Sequence, residues 1–202
     1  MSNPNLHPLS QSSLSPTHHK ILKLALFNTR SLNNKALVLH EFITDNNLDF
    51  LFITETWHKH LDYFSLNQAT PPGYTYIDKP RLTSRGGGVA LVHKTEFKIS
   101  TISTSPTESF EHITLKFLGP SPLVFAVIYR PAKFNPSFFS DFSDFVTQLP
   151  PISPFTLLLG DFNFHLDNTN CKHASEFLDL LDCLNFTQHV NFPAHTHGHT
   201  LD

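Results

Sequence analysis

Four short apolar runs, each ending abruptly in a polar side chain, constrain this chain more than anything else in it. Residues 21–27 end at Asn28, residues 48–54 at Glu55, residues 123–128 at Tyr129, and the run from Phe155 ends at Asp161, with Asn163 close behind. Runs of this length are too short for a core helix and read as buried strands. A strand end lets a side chain leave the packed interior while the sheet keeps its backbone fixed, which is the preorganisation a reactive site needs. The pattern therefore predicts a sheet structure that delivers an amide, two carboxylates and a phenol to strand ends.

The rest of the chain fits around those strands. Residues 35–47 place Leu39, Phe42 and Ile43 on one helical face, which makes a strand, helix, strand unit with the first two runs. Further strands at 74–78, 87–93, 97–103 and 112–117 follow at short spacing, broken by Pro71-Pro72-Gly73, Gly86-Gly87-Gly88, Gly119-Pro120 and Pro122. Such spacing predicts a mostly antiparallel sheet. Residues 137–149 form an amphipathic helix through Phe138, Phe142, Phe145, Val146 and Leu149, stopped by Pro150-Pro151. A third helix spans 172–184 through Phe177, Leu178, Leu181 and Leu184. Without repeats or linkers, residues 21–202 read as one layered α/β domain, two sheets face to face with helices outside. Residues 1–20, rich in Ser, Pro, Asn and His, read as a disordered tail rather than a signal peptide.

Composition closes off several function classes. With 202 residues, 40% hydrophobic and 12% aromatic, and with twenty phenylalanines, the chain can fill a sizeable core. No apolar run approaches the roughly 20 residues of a membrane span. Cys171 and Cys183 lie too far apart on a helical stretch for a zinc knuckle, so no disulfide-linked partner is implied and an intracellular setting, nucleus or cytoplasm, is expected. The formal net charge of -3 offers no global basic field for nucleic acid. A site of carboxylates can nevertheless bind phosphate through a cation.

Glu55 and Asp161 are oxygen donors suited to a hard cation, and magnesium commonly takes only one or two protein carboxylates. Asn28 and Asn163 can orient water or donate to a phosphate oxygen, and Tyr129 can donate its hydroxyl to the same charge. Taken one at a time, a strand-terminal Asp or Asn is also an ordinary turn residue, and Gly160-Asp161 followed by Asn163 is acceptable turn chemistry. Arg30 and Arg130, just beyond two strand ends, are candidates for phosphate contacts, against solvated surface positions. Trp57 can stack on a base or pack in the core. Gly86 to Gly88 lack the following Lys-Ser/Thr helix of a phosphate loop and read as a turn into the next strand. His195, His197 and His199 alternate, so an extended strand would put three nitrogens on one face, while a polar loop would not.

Taken in order, Asn28-Thr29-Arg30-Ser31, Thr54-Glu55-Thr56-Trp57, Gly86-Gly87-Gly88-Val89-Ala90, Ile128-Tyr129-Arg130-Pro131, Gly160-Asp161-Phe162-Asn163 and residues 192–202 form a set. That set resembles the endonuclease/exonuclease/phosphatase superfamily. More narrowly, it is similar to the apurinic-type endonuclease domain of non-LTR (LINE-type) retrotransposons. The resemblance implies a DNase I-like two-sheet α/β sandwich that hydrolyses phosphodiesters with Mg2+ or Mn2+, DNA being the partner through its phosphate backbone. It makes Glu55 the metal-binding glutamate, Asn28 the asparagine beside it and Tyr129 the phosphate-contacting tyrosine. Asp161 becomes the aspartate that positions the attacking water, and Asn163 its neighbour on the phosphate. Asp202 matches the aspartate that orients a histidine near the scissile phosphate. That histidine is expected in a Ser-Asp-His segment on a final strand, and the sequence given stops before it. Two other classes follow: an inactive remnant that at most binds DNA, and another superfamily hydrolase acting on a phosphoinositide, sphingomyelin or poly(A).

Overall fold

A computed structural model describes residues 21–82, 86–119, 122–149, 155–166 and 171–190. In chain order its elements are β1 (Leu24–Asn28), α1 (Ala36–Asn46), β2 (Phe50–Thr54), α2 (Phe64–Ala69), β3 (Tyr74–Lys79), β4 (Val89–Lys94) and β5 (Ile99–Ile102). Then come β6 (Glu111–Phe117), β7 (Leu123–Tyr129), α3 (Phe138–Thr147), β8 (Thr156–Asp161) and α4 (Lys172–Cys183). The strands form two sheets, ordered β1-β2-β4-β3 and β5-β6-β7-β8. Both are mixed: β1 runs parallel to β2 and β8 parallel to β7, while the remaining pairs are antiparallel. Parallel neighbours need a long crossover. Helix α1 supplies it in the first sheet and α3 in the second, so the expected antiparallel character holds for every pair except β1–β2 and β7–β8.

The sheets face each other across a phenylalanine-rich layer. Phe125 lies 5.2 Å, ring centre to ring centre, from both Phe50 and Phe52, with Leu91, Leu115 and Val127 packed around them. On the outer face of the first sheet, Leu39 and Ile43 of α1 cover Leu51, Ile53, Ala90 and Val92. On the outer face of the second, Phe138, Phe142 and Phe177 from α3 and α4 cover Ala126 and Ile128. The middle strands are thus buried on both faces, which is why they read as unbroken apolar runs. The result is the DNase I-like α/β sandwich.

Several expectations change. Phe42 is 39% exposed, so the buried stripe of α1 is Ala36, Leu39 and Ile43. Strands β1 and β8 were expected to be buried, yet both are outermost in their sheets. Leu26 and Phe27 are 38% and 41% exposed, and most of β8 is only half-buried. Helix α2 has too few residues for apolar periodicity to mark it. Cys171 and Cys183 are free thiols. No helix among the described residues is long and apolar enough to cross a membrane. The expectations for residues 1–20, for Asp202 and for His195, His197 and His199 fall outside the described residues.

Candidate functional site

The strand registers bring the polar ends to one edge of the sandwich. Asn28 pairs with Thr54, Thr54 with Val89, and Val89 with Lys79 in the first sheet. Tyr129 lies between Glu111 and Asp161 in the second. Asn28 ties the two sheets together there. Its Nδ2 donates to Glu55 Oε1 at 2.9 Å and also to Asp161 Oδ2, while its Oδ1 accepts the Arg30 N–H at 3.1 Å. One amide therefore bridges two carboxylates from opposite sheets.

Burial raises the pKa of Asp161, opposed by the hydrogen bonds from Asn28 and the Asn163 backbone and reinforced by the nearby charge of Glu55. Tyr129 is 7% exposed, and burial, followed by the charge of Glu55, pushes its hydroxyl up to about 12. It stays a neutral donor across the physiological range.

Glu55 and Trp57 both have left-handed backbones, with φ of 53° and 54°. Non-glycine residues in that region cost on the order of 1–3 kcal/mol and gather at functional sites. The surrounding backbone holds them there: the N–H groups of Ser31 and Leu32 donate to the carbonyls of Glu55 and Thr56 at 2.9 and 3.0 Å, and the Trp57 N–H donates to Gly87 at 2.9 Å. The Trp57 indole N–H donates to Glu55 Oε2 at 3.1 Å. Both oxygens of Glu55 are thus oriented, one by Asn28 and one by Trp57. The tryptophan steers the carboxylate, a role that neither base stacking nor core packing had anticipated. Beneath the loop, buried His58 links Thr56 Oγ1 at 2.8 Å to Asp78 Oδ2 at 2.9 Å, tying it to β3.

On the second sheet, the Asn163 N–H donates to Asp161 Oδ1 at 3.1 Å. The Asn163 side-chain amide is turned to the Arg130 carbonyl at 2.7 Å. Arg130 corrects an expectation. It is 3% exposed, and its guanidinium donates to the carbonyls of Phe162, Pro131 and Asn163 while lying 4.1 Å from the ring centre of Phe164. A buried guanidinium needs such acceptors, and the carbonyls of Phe162, Pro131 and Asn163 supply them. Arg30 is exposed at the rim, with φ of 42°. Gly160 is required because a Cβ there would strike the carbonyl oxygen of Ile128 on β7.

Arg81 and Glu111 were not singled out from the sequence. Arg81 pairs through Nε with Glu111 Oε1, and the Gly88 N–H donates to Glu111 Oε2 at 2.6 Å. Both residues sit at this edge, Glu111 at the start of β6 and Arg81 just beyond β3. The strand-end rule that found Glu55 and Asp161 passes over both, because Glu111 opens its strand and Arg81 follows Lys79 and Pro80.

Among the described residues, no group of three or more metal-ligating side chains is gathered. Two oriented carboxylates sharing one amide nonetheless fit a hard divalent cation that keeps most of its positions for water and phosphate oxygens. The sequence pattern described as the Endonuclease/Exonuclease/phosphatase family matches residues 25–202. The chain belongs to that family. Its members include phosphate-ester hydrolases that use divalent metal ions. No curated protein matches the chain significantly.

Solved structures agree on the fold. The AP endonuclease LMAP from Leishmania major superimposes with a TM-score of 0.61 at 15% identity, over 81% of this chain and 67% of that one. The endonuclease domain of TRAS1, a telomere-specific non-LTR retrotransposon, gives 0.61 at 9% identity, over 90% and 82%. The 3′ phosphatase NExo from Neisseria, bound to a product DNA hairpin, gives 0.60 at 17% identity, over 81% and 71%.

Proposed function

We propose that this chain is a divalent-metal-dependent phosphodiesterase that nicks DNA, of the retrotransposon endonuclease type. The observation that carries the reading is the Asn28 amide shared between Glu55 and Asp161 at the meeting point of the two sheets. Family membership supports phosphoester hydrolysis, and the neighbours that act on or bind DNA support that substrate. Glu55 would hold Mg2+ or Mn2+, which supplies charge neutralisation at the phosphate. Asp161 accepts the proton of the attacking water as its oxygen bonds to phosphorus. The P–O ester bond breaks and solvent protonates the leaving oxygen. Tyr129 donates its hydroxyl to the phosphate, Asn163 fixes Asp161 through its N–H, and Arg30 meets the backbone at the rim.

Nicking of supercoiled plasmid in magnesium tests the assignment. Glu55→Ala and Asp161→Ala should each lower the rate about 100- to 10,000-fold, and chelation should abolish it. Undiminished nicking by either variant would sink the proposed roles. Because Asp161 must be ionised to accept a proton and burial raises its pKa, kcat/KM should fall with acidification above the ordinary aspartate value of about 3.9. An acid limb at or below that value would remove Asp161 as the base.

A further inference from the structure

The site as expected from sequence drew its cations from Arg30 and Arg130, and Arg130 is consumed by the fold. A different guanidinium stands beside Tyr129. The Arg81 Cζ lies 5.6 Å from the centre of the Tyr129 ring, and its charge bears on the Tyr129 hydroxyl together with those of Glu55, Asp161 and Glu111. Arg81 is fixed in place. Glu111 grips its Nε, and the other Glu111 oxygen is itself held by the Gly88 N–H at 2.6 Å.

The glycine turn is shaped around this pair. A Cβ on Gly87 would lie 2.5 Å from Arg81 Cζ and from Glu111 Oε1, and one on Gly88 would strike Thr56 Oγ1 in the Glu55 loop. The three glycines, with φ of 91°, 69° and 85°, let one turn touch both the carboxylate loop and the Arg81–Glu111 pair. The turn therefore builds the site's wall as well as joining strands. Beyond Arg81 opens a cleft of about 580 Å³, with Lys79, Thr107, Phe110 and Pro131 among its lining residues. Lys79 donates to the His112 carbonyl at 3.0 Å, so a second cation is anchored along the same wall. Glu108 and Glu111 also line the cleft and balance the charges of Lys79 and Arg81, so an anion there must be met by a directed contact rather than by a general positive field.

We propose that Arg81, buttressed by Glu111, is a substrate-binding residue that contacts a backbone phosphate flanking the scissile one, and that the cleft beyond it carries the DNA strand away from Tyr129. A guanidinium oriented by a carboxylate is preorganised to meet phosphate oxygens through its planar fork. The inference rests on the phosphodiesterase reading for the identity of the scissile phosphate.

The test compares two substrates that differ in their flanking phosphates, a duplex oligonucleotide and thymidine 5′-(p-nitrophenyl phosphate), both with Mg2+. Arg81→Ala should raise KM for the duplex about tenfold and cost the small ester under about threefold. The slope of log affinity against log salt should flatten by about 0.9, one phosphate's share. Duplex binding by Glu55→Ala protein, followed by fluorescence anisotropy in Ca2+, separates this inference from catalysis. A tenfold loss on adding Arg81→Ala there supports the contact even if no hydrolysis is found, a result that would sink only the catalytic reading. An unchanged Kd and salt slope overturns the proposal, as does an equal loss on both substrates. Should Arg81→Ala fail to fold, Arg81→Gln keeps most of the aliphatic stem without the charge and carries the same expectations and the same overturning results.

Discussion

The inner strands β2 and β7 and the outer strands β1 and β8 have the same apolar character, and each delivers a candidate site residue at its C-terminal end. Their surroundings differ. Every residue of β2 is buried, as are all of β7 after Leu123. In β1 and β8, by contrast, the apolar side chains are half-buried or exposed. Between the outer pair lies an apolar groove of about 500 Å³, lined by Leu26, Leu157, Leu159, Leu181, Phe186 and Val190 among others. An apolar run therefore reports that a strand lies in a packed sheet and says nothing of whether it has neighbours on both sides. Rigidity of the four polar ends must come from two sources. Glu55 and Tyr129 inherit it from strands hydrogen-bonded on both edges. Asn28 and Asp161 obtain it from polar contacts across the end of the sandwich, through Glu55, Arg30, Asn163 and Arg130.

The largest effect that sharpens this contrast is in stability. Phe52 is fully buried against Phe125, so Phe52→Ala should cost about 3–5 kcal/mol. Phe27, 41% exposed, should lose under about 1 kcal/mol on the same change. Urea denaturation of the two variants measures both. Equal losses would mean that the outer strand is as well packed as the inner one, and the contrast would collapse.

Elements were legible wherever local periodicity was strong. The strands, α1, α3 and α4 all followed from spacing, and the four polar ends followed from where each apolar run stops. Edge position was not legible, because it depends on which strands come together in space and not on composition. The same holds for Arg130. A guanidinium after a strand end reads alike whether it faces phosphate or a pocket of rings, and only the fold brings Phe134, Phe138 and Phe164 around it. Arg81 and Glu111 escaped notice because their pairing joins residues thirty positions apart in different sheets. Trp57 was legible as a neighbour of the glutamate, but the left-handed turn that aims its indole at that carboxylate has no local signature.

Arg130 offers the next test, because it fastens the outer strand's exit to the inner strand. Lysine keeps the charge but lacks the fork that serves three carbonyls. Arg130→Lys should therefore destabilise the protein by about 2–3 kcal/mol, the scale of a lost charge-assisted hydrogen bond. Thermal unfolding reads that loss, and duplex affinity serves as the control. If Arg130→Lys leaves the melting temperature unchanged and weakens DNA binding, Arg130 contacts substrate after all and β8 is anchored by something else.

The smallest effect is the most local. Asn28 is a link between the two sheets at the site, and Asn28→Ala removes the donor shared by Glu55 and Asp161 without removing either carboxylate. Lost hydrogen bonds to charged groups should cost about 1–2 kcal/mol in transition-state stabilisation, roughly a tenfold fall in kcat. The change also has a sign in pH. Burial and the Glu55 charge raise the pKa of Asp161 while the Asn28 hydrogen bond lowers it, so removing that bond leaves only the Asn163 backbone hydrogen bond and the Arg130 charge to oppose the rise. The acid limb of kcat/KM should then move toward neutral pH, with little loss of thermal stability because β1 is an outer strand. A fall in kcat with an unmoved acid limb would show that Asn28 acts on bound phosphate alone, and that the two sheets do not share their charge through its amide.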